Sequence, residues 1–189
     1  MVSPHDDPIE LTHSQHERWT REFVAECRRI GEALSTHNLN SHIKRIEHVG
    51  STAVPELAAK DIVDLDIVVA DSAVAVVSET LEAELGGTRL ENTDGWHPIF
   101  RVHENQRFNN HVFAASDHRW KVSVVTRDVL SNHSNLRAEY EQLKRELAHD
   151  HDDLTAYSRG KTTFIERVLT VGQRDDNIEF DFTLSIDHK

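Results

Sequence analysis

The stretch Val49-Gly50-Ser51, twelve spacer residues, then Asp64-Leu65-Asp66-Ile67 decides the fold. The run from Asp61 to Ala70 is nearly continuous in Val and Ile, the composition of a central strand covered on both faces. Successive side chains on a strand point to opposite faces, so Asp64 and Asp66 share one face while Leu65 and Ile67 take the other. Ile43 to Val49 reads as a second strand that enters Gly50-Ser51 directly, a small-residue turn whose backbone can come close to a phosphate. A bare Asp-x-Asp is more often a surface or ion-paired feature. The Gly-Ser turn at this interval, with Lys60 beside the strand, shifts the balance towards a nucleotidyl-transfer layout with Asp64 and Asp66 as ligands for Mg²⁺ or Mn²⁺.

Outward from this centre the period of the apolar residues assigns the remaining elements. Ser14 to Leu34 carries Trp19, Phe23, Cys27, Ile30 and Leu34 at helical spacing, with Ser14 and Glu17 as a capping box. Asp71 or Ser72 is expected to cap a helix reaching about Leu85, ended by Gly86-Gly87. Strands are expected at Thr88 to Glu91, Pro98 to Val102, Asn110 to Ala115 and Trp120 to Val125. After Arg127 the pattern turns helical: Leu136, Tyr140, Leu143 and Leu147 share a face, and a second helix from about Leu154 to Val171 carries Phe164, Ile165, Val168 and Leu169. Residues 178 to 186 alternate apolar and polar, which predicts a half-buried strand added to a sheet edge of this chain or of a second copy in a homodimer. The fold class is therefore α/β, of the α+β kind, with a mixed sheet, flanking helices, a two-helix C-terminal segment and an added strand. One domain over residues 1–189 is expected, with its core at about 14–171.

Composition narrows the partners. The formal charge is −12, from 33 acidic against 21 basic residues, which argues against broad attraction to nucleic acid or to anionic membranes. Of the basic residues 15 are Arg and only 6 are Lys, and an acidic, Lys-poor surface suits a high-salt cytoplasm where counterions screen the carboxylates. A lone Cys27 permits no intrachain disulfide and fits a reducing compartment. The first residues show no secretory leader and no run reaches transmembrane length, so a cytoplasmic location is expected.

The run Ile46-Glu47-His48-Val49-Gly50-Ser51-Thr52-Ala53-Val54-Pro55, followed by Leu57-Ala58-Ala59-Lys60 and Ile62-Val63-Asp64, closely resembles the signature of the GrpB family. The likeness continues through His111-Val112, Trp120, Arg127-Asp128-Val129-Leu130, His133, Tyr140, Leu143-Lys144, Leu147-Ala148, Tyr157, Lys161 and Phe164-Ile165. The resemblance implies a nucleotidyltransferase-like fold of the DNA-polymerase-beta type over all but the segment beyond Gly172. Two positions depart from the pattern: Glu56 stands where the family usually has glycine, and Asp61 replaces a typical proline. Related active enzymes use a third carboxylate on a neighbouring strand; here that strand offers His111, and imidazole is a poor Mg²⁺ ligand beside carboxylate oxygen.

The resulting expectation is a metal-dependent transfer of a nucleotidyl group from an NTP to an acceptor, with Asp64, Asp66 and His111 as the catalytic set. Gly50, Ser51, Thr52, His48, Lys60, Arg127 and Lys161 are expected around the nucleotide, with Arg101, Arg107 and Lys121 as further cations for phosphate. A noncatalytic nucleotide or phosphate-ligand module and a protein-interaction scaffold are the alternatives on the same fold. Gly160-Lys161-Thr162 looks like the end of a phosphate-binding loop, but no strand precedes it and Thr155 occupies the place of its first glycine. The acidic and His-rich run from His149 to Asp153 reads as a solvated connection between helices rather than a metal site.

Overall fold

A computed structural model describes residues 9–151 and 153–182. Five strands form one mixed sheet: β1 (Ile43–Val49), β2 (Ile62–Val69), β3 (Thr88–Arg89), β4 (Trp96–His103) and β5 (Gln106–Ala114), in the spatial order β1-β2-β5-β4-β3. Only the central β2–β5 pair is parallel; β1–β2, β4–β5 and β3–β4 are antiparallel.

The alternation read in β2 sets the two layers. Val63, Leu65, Ile67 and Val69 are all fully buried and pack against Trp19, Ile30 and Leu34 of α1 (His16–Ser35) and Val74, Val77 and Leu81 of α2 (Val74–Leu85). Asp64, Asp66 and Val68 face the opposite side, which is covered by α3 (Arg119–Asn132), α4 (Ser134–Asp150), α5 (Leu154–Arg159) and α6 (Thr162–Gly172). A second apolar cluster, centred on Val129, Leu130, Tyr140, Phe164 and Val168, joins α3, α4 and α6. Burial of these side chains stabilises the helical layer by roughly 1.5–3 kcal/mol each.

Several local expectations are corrected. Trp120 to Val125 is the first half of α3, not a strand. Its β-branched residues suggest a strand, but the helix buries Trp120 against Val68 and Phe113 of the sheet and Val125 and Val129 in the cluster with Phe164 and Val168. The helix expected from Leu154 to Val171 is two helices, broken at Gly160-Lys161. α1 starts one residue after Gln15 without a side-chain cap, so Ser14 and Glu17 form no capping box. Asp71 does not cap α2; a 3-10 turn, Asp71–Ala73, intervenes and the Asp71 carboxylate accepts from Ser116 N at 3.0 Å. Residues 178–182 of the alternating tail form no strand. Ile178 is instead buried against α3 and α6 and Phe180 stacks on Phe182 at 4.4 Å, while residues 183–186 lie outside the described residues.

Both departures from the family signature have a local account. Asp61 accepts from Arg18 Nη2 at 2.5 Å and Trp19 Nε1 at 2.8 Å, tying α1 to the start of β2. Glu56 is held at φ 63°, a conformation that glycine enters at little cost. Its carboxylate, exposed, accepts from Arg137 Nη2 at 2.6 Å and does not line the cavity beside Gly50 and Asp64. No helix among the described residues is long and apolar enough to cross a membrane.

Candidate functional site

Gly50 ends β1 with φ 71° and ψ −172°. The β1–β2 register sets Val49 opposite Asp64, so the turn folds directly over that carboxylate. A Cβ on residue 50 would lie 2.5 Å from Asp64 Oδ2. Glycine is thus required both by the positive φ and by the close approach. The next residues form a 3-10 turn, Ser51–Ala53. Thr52 within it is buried, and its hydroxyl lies 3.1 Å from His48 Nε2. His48 stacks on Phe23 with ring centroids 4.9 Å apart. Burial, reinforced by His16 and Arg127, lowers the His48 pKa to about 4, so it is a neutral support for the turn and not a cation for phosphate.

The turn, the start of β2 and the helical layer enclose a cavity of about 450 Å³. Gly50, Ser51, Thr52, Lys60, Asp64, Asn109, Arg127, Lys144 and Lys161 line it. Asp64 Oδ1 accepts from Asn109 Nδ2 at 2.8 Å. Burial raises the Asp64 pKa, against the opposing pull of Asn109, Lys60 and Lys161. Lys161 reaches the cavity because α5 and α6 break at Gly160, where a side chain would run into Leu147 of α4. Its ammonium lies 4.4 Å from the Tyr157 ring centroid. Desolvation, with help from Lys60, brings its pKa down to about 8.

Lys144 was not singled out among the sequence candidates, yet it is the best-enclosed cation of the site, with 1% of its surface exposed. Its Nζ donates to Ser51 Oγ at 3.1 Å and to the carbonyl of Ala58, and lies 5.0 Å from the Tyr140 ring centroid. The Tyr140 hydroxyl is also hydrogen-bonded to Ser51. Burial first, then Lys161, lowers the Lys144 pKa to about 7. A sequence signal existed: Tyr140-x-x-x-Lys144 and Tyr157-x-x-x-Lys161 place a lysine one helical turn after a tyrosine twice over.

The other expected members are placed differently. Asp66 shares the face of Asp64 but does not line the cavity. It lies between Glu47 of β1 and His111 of β5 in the sheet register, is 1% exposed, and is hydrogen-bonded to Ser123 of α3. Its Oδ2 has no hydrogen-bond partner, and desolvation raises its pKa well above the ordinary 3.8. His111 accepts from Trp96 Nε1 at 3.3 Å through Nδ1 and lies among the rings of Trp96, Phe100 and Phe113. Burial lowers its pKa to about 4. Asn109, not His111, is the β5 residue beside Asp64. Arg127 reaches the wall but donates to Glu47 at 2.7 Å, the His48 carbonyl at 3.0 Å and Asp128 at 2.7 Å. Arg101, Arg107 and Lys121 do not line the cavity. Arg101 is buried against Glu26 of α1 at 2.6 Å, and Lys121 pairs with Asp181 at 2.8 Å.

These residues do not fit a resident Mg²⁺ or Mn²⁺. Among the described residues no three His, Cys, Asp or Glu side chains form a group able to hold a metal ion. The one carboxylate on the cavity wall has lysines for neighbours, and the second acid is sealed beneath α3. The run from His149 to Asp153 supplies no such group among the described residues either; Asp153 caps α5 by accepting from Thr155 N and Ala156 N.

Known proteins share this arrangement of chain. The sequence profile described as "GrpB protein" matches residues 8–170. The UPF0157 protein BH1888 of Halalkalibacterium halodurans is 30% identical over 89% of this chain and 84% of its own length. The glutamate-rich protein GrpB of Alkalihalophilus pseudofirmus is 28% identical, with 85% of this chain and 93% of that protein covered. The crystal structure of conserved protein GrpB from Enterococcus faecalis superposes with a TM-score of 0.73 at 23% identity, covering 86% of this chain and 96% of that one, a likeness of fold. With the profile spanning most of its length, from ahead of α1 into the last turn of α6, the chain belongs to the GrpB family.

Proposed function

We propose that the protein is a binding module for a small phosphate-bearing molecule of the nucleotide class. The observation that carries this reading is the convergence of Lys60, Lys144 and Lys161 with the Ser51 hydroxyl on one cavity. Ammonium groups and a hydroxyl at a tight glycine turn are the donors that a phosphate needs, and partial burial strengthens each interaction. Titration calorimetry of the full chain with ATP and AMP tests it. Saturable binding that Lys161→Met weakens, without pyrophosphate release, is the expected result; no heat with either nucleotide, with or without Mg²⁺, rejects it.

Nucleotidyl transfer to an acceptor hydroxyl, with Mg²⁺ or Mn²⁺ arriving on the nucleotide, is the second reading. It is favoured by one observation, the buried and unpartnered Oδ2 of Asp66 on the same strand face as Asp64. Pyrophosphate release from a labelled NTP that disappears in Asp64→Ala and in Asp66→Ala would move the assignment to this reading.

A further inference from the structure

We propose that the cavity is built for a phosphate monoester dianion and takes it without a divalent cation. The inference rests on the phosphate-binding reading above and narrows it to a charge class. Three ammonium groups, Lys60, Lys144 and Lys161, face one carboxylate, Asp64, on the cavity wall. Arg127 is a fourth cation there, but Glu47 and Asp128 already hold its guanidinium. Asp66 is sealed beneath α3 and does not line the cavity, so it presents no carboxylate to a ligand there. Once a bound anion holds the three lysines in their charged form, they and Asp64 sum to a net charge of about +2, which matches a monoester at −1.5 to −2 near neutral pH. A phosphodiester carries half as much. A bare triphosphate carries roughly twice as much and would bring uncompensated charge into a desolvated space.

Composition and construction point the same way. The chain has only 6 lysines against 15 arginines, and three of the six line this one cavity. They come from separate places: the loop before β2, the middle of α4, and the α5–α6 junction. A compact ammonium can crowd around a tetrahedral anion from several sides, where a planar guanidinium fork would need more room. Burial first, then repulsion from a neighbouring lysine, Lys161 for Lys144 and Lys60 for Lys161, depresses the proton affinity of these two groups, a penalty that a bound dianion relieves. Lys144 Nζ donates to Ser51 Oγ and the Tyr140 hydroxyl is hydrogen-bonded to the same serine, which fixes that hydroxyl on the cavity wall beside the lysine. The remaining wall is largely apolar, with Phe100, Leu130, Tyr157 and Ile165. The ester group is therefore expected to present an apolar or planar face.

The test compares phenyl phosphate with methyl phenyl phosphate, a pair of similar size that differs by one charge, by calorimetry on the full chain in EDTA and in Mg²⁺. Phenyl phosphate is expected to bind about tenfold or more tightly than its methyl ester, with less than about twofold change between EDTA and Mg²⁺. Tripolyphosphate is expected to bind only with Mg²⁺. Lys161→Met and Lys144→Met should each weaken phenyl phosphate by about tenfold while circular dichroism stays unchanged. If Lys144→Met fails to fold, Lys161→Met and Lys60→Met carry the comparison. Equal affinity for the two esters, loss of binding in EDTA, or no effect of the lysine variants overturns the proposal. If ATP with Mg²⁺ binds and phenyl phosphate does not, the phosphate-binding reading stands and this narrower one falls; if neither binds, both fall.

Discussion

Asp66 is the residue where stability and site chemistry pull apart. Its carboxyl is buried with one oxygen unpartnered, and its pKa is raised by desolvation, then by Asp64 and Glu47, against the pull of Ser123 and Arg127. Below 3.8 both the folded and the unfolded chain hold the proton, and the residue contributes nothing to the pH dependence. As pH rises above that value the unfolded chain releases its proton first, so stability is lost until the folded carboxyl also ionises. Asp66→Asn should remove that slope and raise stability at pH 7 by at least about 1 kcal/mol, read by urea denaturation at pH 5 and pH 8. A variant that is less stable at pH 8 than the parent would show the acid to be charged and satisfied. Glu56 is a second exception, a non-glycine residue at φ 63° whose carboxylate makes one exposed pair with Arg137. Glu56→Gly is expected to stabilise by about 1 kcal/mol, since relief of the left-handed backbone outweighs an exposed ion pair; an unchanged or lower melting temperature would contradict this.

At the scale of elements, the Gly50 turn and β2 act as one unit. Gly50→Ala would combine positive-φ strain with a Cβ 2.5 Å from Asp64 Oδ2, where β1 and β2 are already locked in register. A loss of roughly 2–3 kcal/mol in thermal or urea unfolding is expected, together with loss of phosphate binding. The segment after α6 works as a packing element and not as a strand over its described part. Ile178 is 8% exposed and sits in the apolar cluster with Val129 and Val168. Ile178→Ala should cost about 2 kcal/mol by leaving a cavity against α3 and α6; a neutral effect would mean that this segment leaves the helical layer in solution. α3 shows how an element escapes local reading. Trp120, Val122, Val124 and Val125 favour a strand by type, but one helical face of α3 must cover Val68 and Phe113 of the sheet while Ser123 and Thr126 turn towards the acid face. The packing partner, absent from the local sequence, makes the choice.

For the whole molecule the charge of −12 is the dominant collective term. Carboxylates repel one another across the surface at low ionic strength, and salt shortens the range of that repulsion. The melting temperature is therefore expected to rise between low and molar KCl, as a suited high-salt surface requires, and a fall over that range would refute the expectation. Against that net charge the lysine-lined cavity is a local exception, with three of the six lysines on one wall; on the proposed phosphate-binding reading a small anion is expected to bind and a long polyanion to be repelled.

The strand pair around Gly50 and Asp64, the layer that Val63, Leu65, Ile67 and Val69 bury, and most of the helices are legible in the order of residues, because these depend on periods of 2 and 3.6 and on a glycine turn, all of them local. The family likeness was equally legible, since the residues that carry it are contiguous around the turn. Which charged groups meet is settled by the packing of the helices on the sheet. It seals Asp66 beneath α3, gives His111 to Trp96 and Arg101 to Glu26, and brings Lys60, Lys144 and Lys161 from three distant segments to one wall. Convergence of side chains separated by 84 and 101 positions depends on how helices cross a sheet, and neither composition nor spacing encodes that crossing.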